Sequence, residues 1–226
     1  MSLAIFWNSG RLTLISAFEN GSATVYRLDS DASSSADVWT TTYRSQTHSQ
    51  PILSLDVAPD LEHFFTSGAD AVIAKHPIPF GPADDDDEVE EIIRDIPNTV
   101  GSLPTKTVKT KHAGQQSLRV RSDGRIFATA GWDATVRVYS TRTLKELAVL
   151  KWHQAGCYAV GFAIVDSGRG GGGGSEDAEG LAAADTLPLS LPKQLSVKDK
   201  RVDDARTAHW IAAGSKDGKI SLWVVY

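Results

Sequence analysis

One cysteine, Cys157, stands among the 226 residues, so no disulfide can form within the chain and a reducing compartment is expected. No apolar run approaches the ~18 residues that cross a bilayer. The opening Met1-Ser2-Leu3-Ala4-Ile5-Phe6-Trp7 has no basic region and only a short apolar stretch, so no signal peptide is expected. A surplus of positive charge is missing too. The net charge of −5 argues against a nucleic-acid binder, whose footprint is a basic stripe. The P-loop pattern and the Gly-x-Ser-x-Gly elbow are both missing. The six histidines and the cysteine show no metal-ligand spacing. No catalytic residue, cofactor, metal, membrane or small-molecule substrate is therefore expected. What remains, 41% hydrophobic and 23% charged, is ordinary globular composition, and a soluble cytosolic or nuclear protein is the expectation.

What the chain does have is a repeat. The stretch Gly131-Trp132-Asp133-Ala134-Thr135-Val136-Arg137-Val138-Tyr139 reads as a hairpin turn followed by an alternating strand. Asp133 is the turn residue, and Tyr139 lies six positions on. The same register recurs as Asn20 with Tyr26, Asp70 with His76, and Asp217 with Trp223. Four positions before the turn residue stand Ser16, Thr66, Thr129 and Ala213; one after it stand Gly21, Ala71, Ala134 and Gly218. Four occurrences in one register make an internal repeat.

Each cycle reads as four short strands, named a to d from inside outward. A histidine lies in each d–a connection: His48, His112 and His153. Its distance to the turn acid is 22 residues for His48 and Asp70, 21 for His112 and Asp133, and 64 for His153 and Asp217. Two insertions, 79–105 and 166–207, account for the long spacings. Without them a cycle runs to about 40 residues, near the ~40–45 of a propeller blade. The expected blades are 3–43, 52–111, 115–150 and 157–226.

On these residues the chain resembles the WD40-repeat β-propellers over nearly its whole length outside the insertions. It departs from their pattern where Thr47, Lys111 and Trp152 precede the histidines in place of glycine. The closing Trp-Asp pair is Tyr26-Arg27, His76-Pro77, Tyr139-Ser140 and Trp223-Val224. Within the family, the ending Ala213-Gly214-Ser215-Lys216-Asp217-Gly218-Lys219-Ile220-Ser221-Leu222-Trp223 and the Gly131-Trp132-Asp133 turn are similar to the ASTRA-associated WD-repeat proteins. The resemblance implies an all-β propeller of about four blades in an open ring, and a non-enzymatic scaffold for protein–protein interactions. It implies a nuclear subunit of the ASTRA chromatin-remodelling and kinase-maturation assembly, with other proteins of that complex as partners. The alternative is a substrate receptor of a cullin-type ubiquitin ligase. That role wants Trp-Asp-x-Arg, of which Tyr139-Ser140-Thr141-Arg142 keeps the arginine and an aromatic.

The repeat residues have a structural reading. Antiparallel order brings the d–a connection and the b–c turn to one end of a blade, so His112 can meet Asp133, with Thr129 and Tyr139 extending the hydrogen bonds. His48, Asp70 and Thr66 form a second such set. His153, Asp217 and Trp223 form a third, weakened because Ala213 carries no hydroxyl. A catalytic pair should occur once, and these recur.

The insertions leave from the opposite end of the blades, which suggests a binding face there. The acidic run Asp84, Asp85, Asp86, Asp87 and Glu88 is a solvated loop or a dock for a basic partner. The segment 166–207, with its pentaglycine, is expected to be mostly disordered. By strand count the ring does not close: the last blade should have three strands, leaving an apolar edge over 220–225 and an uncovered flank on the first blade. The C-terminal half of a longer propeller protein, or a shortened gene product, is the expectation.

Overall fold

The computed structural model describes residues 2–30, 37–79, 103–112, 114–165 and 196–225. They form four antiparallel sheets in chain order. The first holds β1 (Ser2–Asn8), β2 (Arg11–Ala17), β3 (Ser22–Ser30) and β4 (Asp37–Gln46). The second holds β5 (Ile52–Val57), β6 (His63–Gly68), β7 (Val72–Pro77) and β8 (Lys106–Lys109). The third holds β9 (Gln115–Val120), β10 (Ile126–Gly131), β11 (Thr135–Ser140) and β12 (Glu146–Lys151). The fourth has three strands: β13 (Cys157–Phe162), β14 (Trp210–Ser215) and β15 (Ile220–Val224). Each sheet is a meander, and each is one blade.

Turn chemistry explains the meanders. The β1–β2 hairpin closes through Ser9 and Gly10, both at positive φ (49° and 77°), the two-residue turn that matches strand twist. Every b–c turn carries its left-handed residue at the same repeat position: Gly21 (84°), Ala71 (61°), Ala134 (63°) and Gly218 (77°). That conformation costs glycine nothing and is held by alanine at the two other turns.

The blades stack face to face. Strand periodicity gives each sheet two faces. One, here the trailing face, looks back to the preceding blade; the leading face looks forward. Three apolar layers fill the three gaps. Ile15, Val25 and Tyr43 meet Ile52, Leu55 and Phe64 between blades 1 and 2. Phe65 and Ile73 meet Leu118, Phe127 and Tyr139 between blades 2 and 3. Ala128, Val136 and Val138 meet Cys157, Val160 and Ile211 between blades 3 and 4. Aromatic rings carry much of the middle layer: Phe65 stacks on Phe127 at 5.0 Å, and Phe127 on Tyr139 at 5.2 Å.

A small clamp repeats at the inner strands. A serine hydroxyl on one blade accepts the backbone N–H of the next: Ser2 from Leu55 (3.3 Å), Ser54 from Leu118 (3.0 Å) and Ser117 from Val160 (3.3 Å). The inner edges of the second, third and fourth sheets, which would otherwise leave donors unpaired, are thus partly satisfied by the preceding sheet. Asp56 adds a second link by accepting the Val120 N–H at 2.7 Å. Burial raises its carboxyl pKa against that hydrogen bond.

The fan stays open. The first and fourth sheets share no packed strand pair among the described residues. β15 ends the fourth sheet with Ile220, Leu222 and Val224 exposed, and β1 exposes Leu3, Ile5 and Trp7. Among the described residues no helix is long and apolar enough to cross a membrane.

The segment 166–207 ends in a helix, α1 (Val197–Thr207), which the expectation of a mostly disordered insertion did not foresee. After Pro192 the sequence holds no glycine or proline until Gly214 and turns to lysine, arginine, aspartate and alanine, several of them strong helix formers. The Lys200 N–H donates to the Ser196 carbonyl in the first turn, and the Trp210 indole N–H donates to the Ala205 carbonyl at 2.9 Å, tying the helix to β14. The rest of that insertion, the loop at 31–36 and the acidic run at 84–88 lie outside the described residues.

Candidate functional site

The chemistry-bearing side chains gather at the end of the blades that holds the b–c turns and d–a connections. Blade 2 builds the most complete constellation. His48 Nδ1 lies 3.0 Å from Asp70 Oδ1, and its Nε2 lies 2.8 Å from Thr66 Oγ1. Thr66 Oγ1 lies 2.9 Å from His76 Nε2, whose Nδ1 lies 3.0 Å from the Tyr43 hydroxyl of blade 1. One assignment of protons satisfies every atom. Tyr43 donates to His76 Nδ1, and His76 Nε2–H donates to Thr66. Thr66 donates to His48 Nε2, and His48 Nδ1–H donates to Asp70. In that arrangement His76 is neutral and the Asp70 carboxylate is the terminal acceptor. The Ser49 and Val72 N–H groups also donate to Asp70, at 2.9 and 3.2 Å. Burial pushes that carboxyl up, but the hydrogen bonds from His48, Ser49 and Val72 outweigh it and hold it below its ordinary value. Burial first, and then the neighbouring His48, depress His76 to about 3.

The chain of bonds has the elements of a proton relay but no reactant can reach it. Thr66 and His76 are wholly buried, and His48 nearly so. Phe64 stacks on His76 at 4.6 Å and closes it from the side. The relay welds blade 1 to blade 2. Sequence reasoning placed His48, Asp70 and Thr66 together but missed His76 as a hydrogen-bonding member and Tyr43 altogether.

Blade 3 is built differently from the expectation. His112 does not enter the core. Its ring is 42% exposed, with Nδ1 3.5 Å from Asp133 Oδ2. Asp133 is instead gripped by Arg137, Nη1 to Oδ1 at 3.1 Å and Nη2 to Oδ2 at 2.6 Å, with Thr135 donating at 2.8 Å. Thr129 donates to Gln115 Oε1 at 2.6 Å, and Gln115 Nε2 donates to the His112 carbonyl at 2.9 Å. Tyr139 serves as a buried stacking surface, and burial pushes its hydroxyl pKa far up. The reason lies across the hairpin. Thr129 pairs with Arg137, where in blade 2 Thr66 pairs with Ala74. Alanine leaves room for an imidazole; the guanidinium and Gln115 fill it. Burial pushes the Asp133 carboxyl up, but the hydrogen bonds from Arg137 and Thr135 outweigh it and lower its pKa.

Blade 4 differs again. His153 Nε2 lies 2.6 Å from Ser221 Oγ, and Trp223 sits edge-on to the ring at 6.2 Å. Ala213 pairs with Ser221, so the hydroxyl missing on one strand is supplied by its cross-strand partner. Asp217 does not join. It accepts the Lys219 N–H at 3.2 Å and pairs with Lys219 Nζ at 3.4 Å. The residue two before the turn acid decides this. A Cβ at Gly68 or Gly131 would fall 2.6 Å from the aspartate oxygen that folds over it, and blade 4 has Ser215 there. The readable signal was Gly68-x-Asp70 and Gly131-x-Asp133 against Ser215-x-Asp217. In blade 1 the Asn20 side chain accepts from Ser22 within its turn, and its backbone carbonyl accepts from Gln46 Nε2.

A contrast in blade 3 follows. Asp133→Ala strips the buried Arg137 of a bidentate partner and should cost roughly 2–3 kcal/mol of stability. His112→Ala should cost under about 1 kcal/mol, because the pair it breaks is long and exposed. Urea midpoints of the two variants check the order, and equal losses would contradict it.

Cys157 is fully buried. Burial first, then the carboxylates of Asp133 and Asp217, push its thiol up to about 11, the setting of an unreactive cysteine. Asp60, Glu62 and His63 bring possible ligand atoms within 4.8 Å of one another in the β5–β6 turn. Asp60 is already engaged there, accepting the Glu62 N–H at 2.9 Å, and the acids are exposed. A polar groove on the trailing face of blade 1 is lined by Phe18, Ser22, Thr24, Tyr26 and Arg44, with a single cation and no nucleophile–base pair.

Comparison with known proteins now adds to this geometry. The model of the family described as "WD domain, G-beta repeat" matches residues 104–140 and 201–224. The chain is 48% identical, over its full length, to an "ASTRA-associated protein 1" of Verticillium alfalfae, covering 50% of that protein. It is 39% identical to the protein of that name in Pyricularia oryzae, with 100% of the chain and 61% of the relative covered. A Schizosaccharomyces pombe protein of the same name is 45% identical over 126 residues, 55% of the chain and 30% of the relative. The chain thus spans about half the length of the curated relatives it matches most fully. Four meander blades, stacked in an open propeller-like fan and turning on one recurrent residue register, carry the repeat that the WD40 family model matches in part, and the chain is similar over its whole length to the ASTRA-associated proteins.

Proposed function

We propose that this chain is a non-enzymatic scaffold that holds other proteins within an ASTRA-type assembly. The observation that carries the reading is the similarity, over the whole of this chain, to relatives named ASTRA-associated. The blade chemistry supports it. The most elaborate polar constellation, from Asp70 to Tyr43, is spent on joining blades, and its members are buried. The same end of the blades offers docking chemistry. Trp132 in the third b–c turn is 47% exposed, and Trp152 in the following connection is 56% exposed. Half-exposed tryptophans are the side chains on which protein interfaces concentrate binding energy. A nuclear location, and service to chromatin remodelling and to the maturation of phosphatidylinositol-3-kinase-related kinases, belong to this proposal.

The test is affinity purification of the tagged chain from its own cells with identification of what accompanies it. ASTRA subunits should be recovered, and Trp132→Ala with Trp152→Ala should reduce that recovery several-fold without lowering the thermal midpoint. Cullin adaptors in their place would replace this reading with the ligase-receptor one.

A further inference from the structure

The repeat register separates side chains that a blade needs from side chains it does not. One position before the turn residue stand Glu19, Ala69, Trp132 and Lys216. In the last three blades the backbone N–H at this position makes one and the same bond, to the carbonyl of Pro51 (3.0 Å), Gly114 (3.1 Å) and Gly156 (2.9 Å). Alanine suffices for it in blade 2, so blade 3 does not need an indole to close its turn. The indole is nevertheless held in place. A Cβ at Gly114 would overlap the Trp132 ring, so the ring lies directly against the backbone there. Its Nε1–H donates to Gln116 Oε1 at 2.9 Å. Nearly half of the residue is left in water. An aromatic fixed on one side and bare on the other loses little freedom when a partner covers it.

Free positive charge lies around it. The connection 152–156 turns back over Trp132: a Cβ at Gly156 would stand 3.1 Å from the Trp132 carbonyl oxygen. Trp152 opens that connection, and Lys216 is bonded to its end at Gly156. Lys151 pairs with Thr135, three residues beyond Trp132, and Lys111 stands in the connection that leads to Gly114. All three lysines are exposed, and none has an ion pair among the described residues. The acids at this end of blades 2 to 4 are already engaged: Asp70 by His48, Asp133 by Arg137 and Asp217 by Lys219. We propose that this end of blades 3 and 4 is a docking surface for an acidic peptide segment of a partner protein. An apolar side chain of the segment covers Trp132 and Trp152, and its carboxylates meet Lys111, Lys151 and Lys216. The inference rests on the docking role given above to the two tryptophans and adds the chemistry of what they dock. Charge complementarity carries it. A nucleic acid fits less well, because three separate lysines on a chain of net charge −5 do not make the continuous basic groove that a phosphate backbone follows.

The purified full chain is titrated with a labelled peptide of aspartate and glutamate around a central pair of leucines, followed by fluorescence anisotropy. The expected result is saturable binding that weakens as salt rises. Trp132→Ala should weaken it about tenfold or more and keep the salt dependence. Its thermal midpoint should hold, since Ala69 occupies the same place in blade 2. Changing Lys111, Lys151 and Lys216 together to glutamine should weaken binding about tenfold at low salt and flatten the salt dependence. Trp39→Ala removes a similarly exposed tryptophan at the opposite end of blade 1 and should change nothing. No binding by the wild-type chain, equal affinity for a peptide with lysines in place of the acids, tighter binding of a single-stranded oligonucleotide, or an equal loss with Trp39→Ala would each overturn the proposal. The affinity purification described above keeps the two proposals apart. ASTRA subunits recovered undiminished with the triple lysine variant would keep the scaffold and overturn the acidic-peptide surface. Their absence from the wild-type purification, with peptide binding intact on the purified chain, would overturn the scaffold and support the surface.

Discussion

Thr66→Val should lower the unfolding free energy by about 2–5 kcal/mol, among the largest effects of any change that preserves side-chain volume in this chain. Thr66 Oγ1 is the node of the blade 2 relay: it accepts from His76 and donates to His48. Valine keeps the shape and removes both bonds. His76 Nε2–H then lacks an acceptor and His48 Nε2 lacks a donor, both in a wholly buried place that water does not reach. Each orphaned group costs about 1–3 kcal/mol, against a total stability of roughly 5–15 kcal/mol for a domain. Thr129→Val in blade 3 is the internal control. There only the bond to Gln115 is lost, one orphaned group in place of two, and about 1–3 kcal/mol is expected, roughly half the Thr66→Val loss. Urea denaturation of both variants decides the matter. A Thr66→Val midpoint within error of wild type would show that the relay contributes nothing to the fold.

Acid should destabilise the protein well above the pH at which carboxylates titrate. A histidine in the unfolded chain takes up its proton near pH 6.5, whereas His76 in the fold stays neutral down to about 3. Between those values the unfolded chain holds one proton more than the native one. Stability therefore falls as pH falls, by about 1.4 kcal/mol per unit, and the contribution is complete and flat above pH 6.5. Over the whole window the loss from His76 comes to roughly 4–5 kcal/mol. Asp70, whose folded value is also lowered, adds a loss of the same sign, confined to pH below its unfolded value of 3.8. The physical cause is the stacking and burial of His76 between Phe64 and Tyr43, together with the neighbouring His48. Protonating His76 would also turn an N–H toward the Tyr43 hydroxyl that now donates to it. Denaturation midpoints from pH 8 to pH 4 should show the slope beginning near 6.5, and His76→Gln should flatten it by one proton. Equal stability at pH 7 and pH 5 would falsify this account.

The two effects share one origin, the choice of residue opposite the repeat threonine. Ala74 opposite Thr66 leaves space for an imidazole; Arg137 opposite Thr129 takes that space and pushes His112 out to solvent. A histidine and an acid at the right spacing are therefore not enough to make the network. The residue across the hairpin and the residue two before the acid must both be small. Blade 2 meets both conditions with Ala74 and Gly68. Blade 3 fails the first, and blade 4 fails the second with Ser215.

By itself the sequence determined the repeat, the strand order within each blade and the position of every b–c turn. Those features are local. A left-handed residue after Asn20, Asp70, Asp133 and Asp217 is a requirement of the turn, and Gly21, Ala71, Ala134 and Gly218 announce it within one position. The open fan and its bare edge at β15 could also be counted from strands. Only the tertiary structure decided which acid meets which histidine, that Tyr43 of blade 1 completes a chain begun at Asp70 of blade 2, and that α1 forms before β14. The reason is that each such choice is made by volume left or taken at a seam. The atoms that settle it come from a facing strand or a neighbouring blade, from 8 residues away for Ala74 and Thr66 to 33 for Tyr43 and His76. No turn signal or periodicity in the chain records that space.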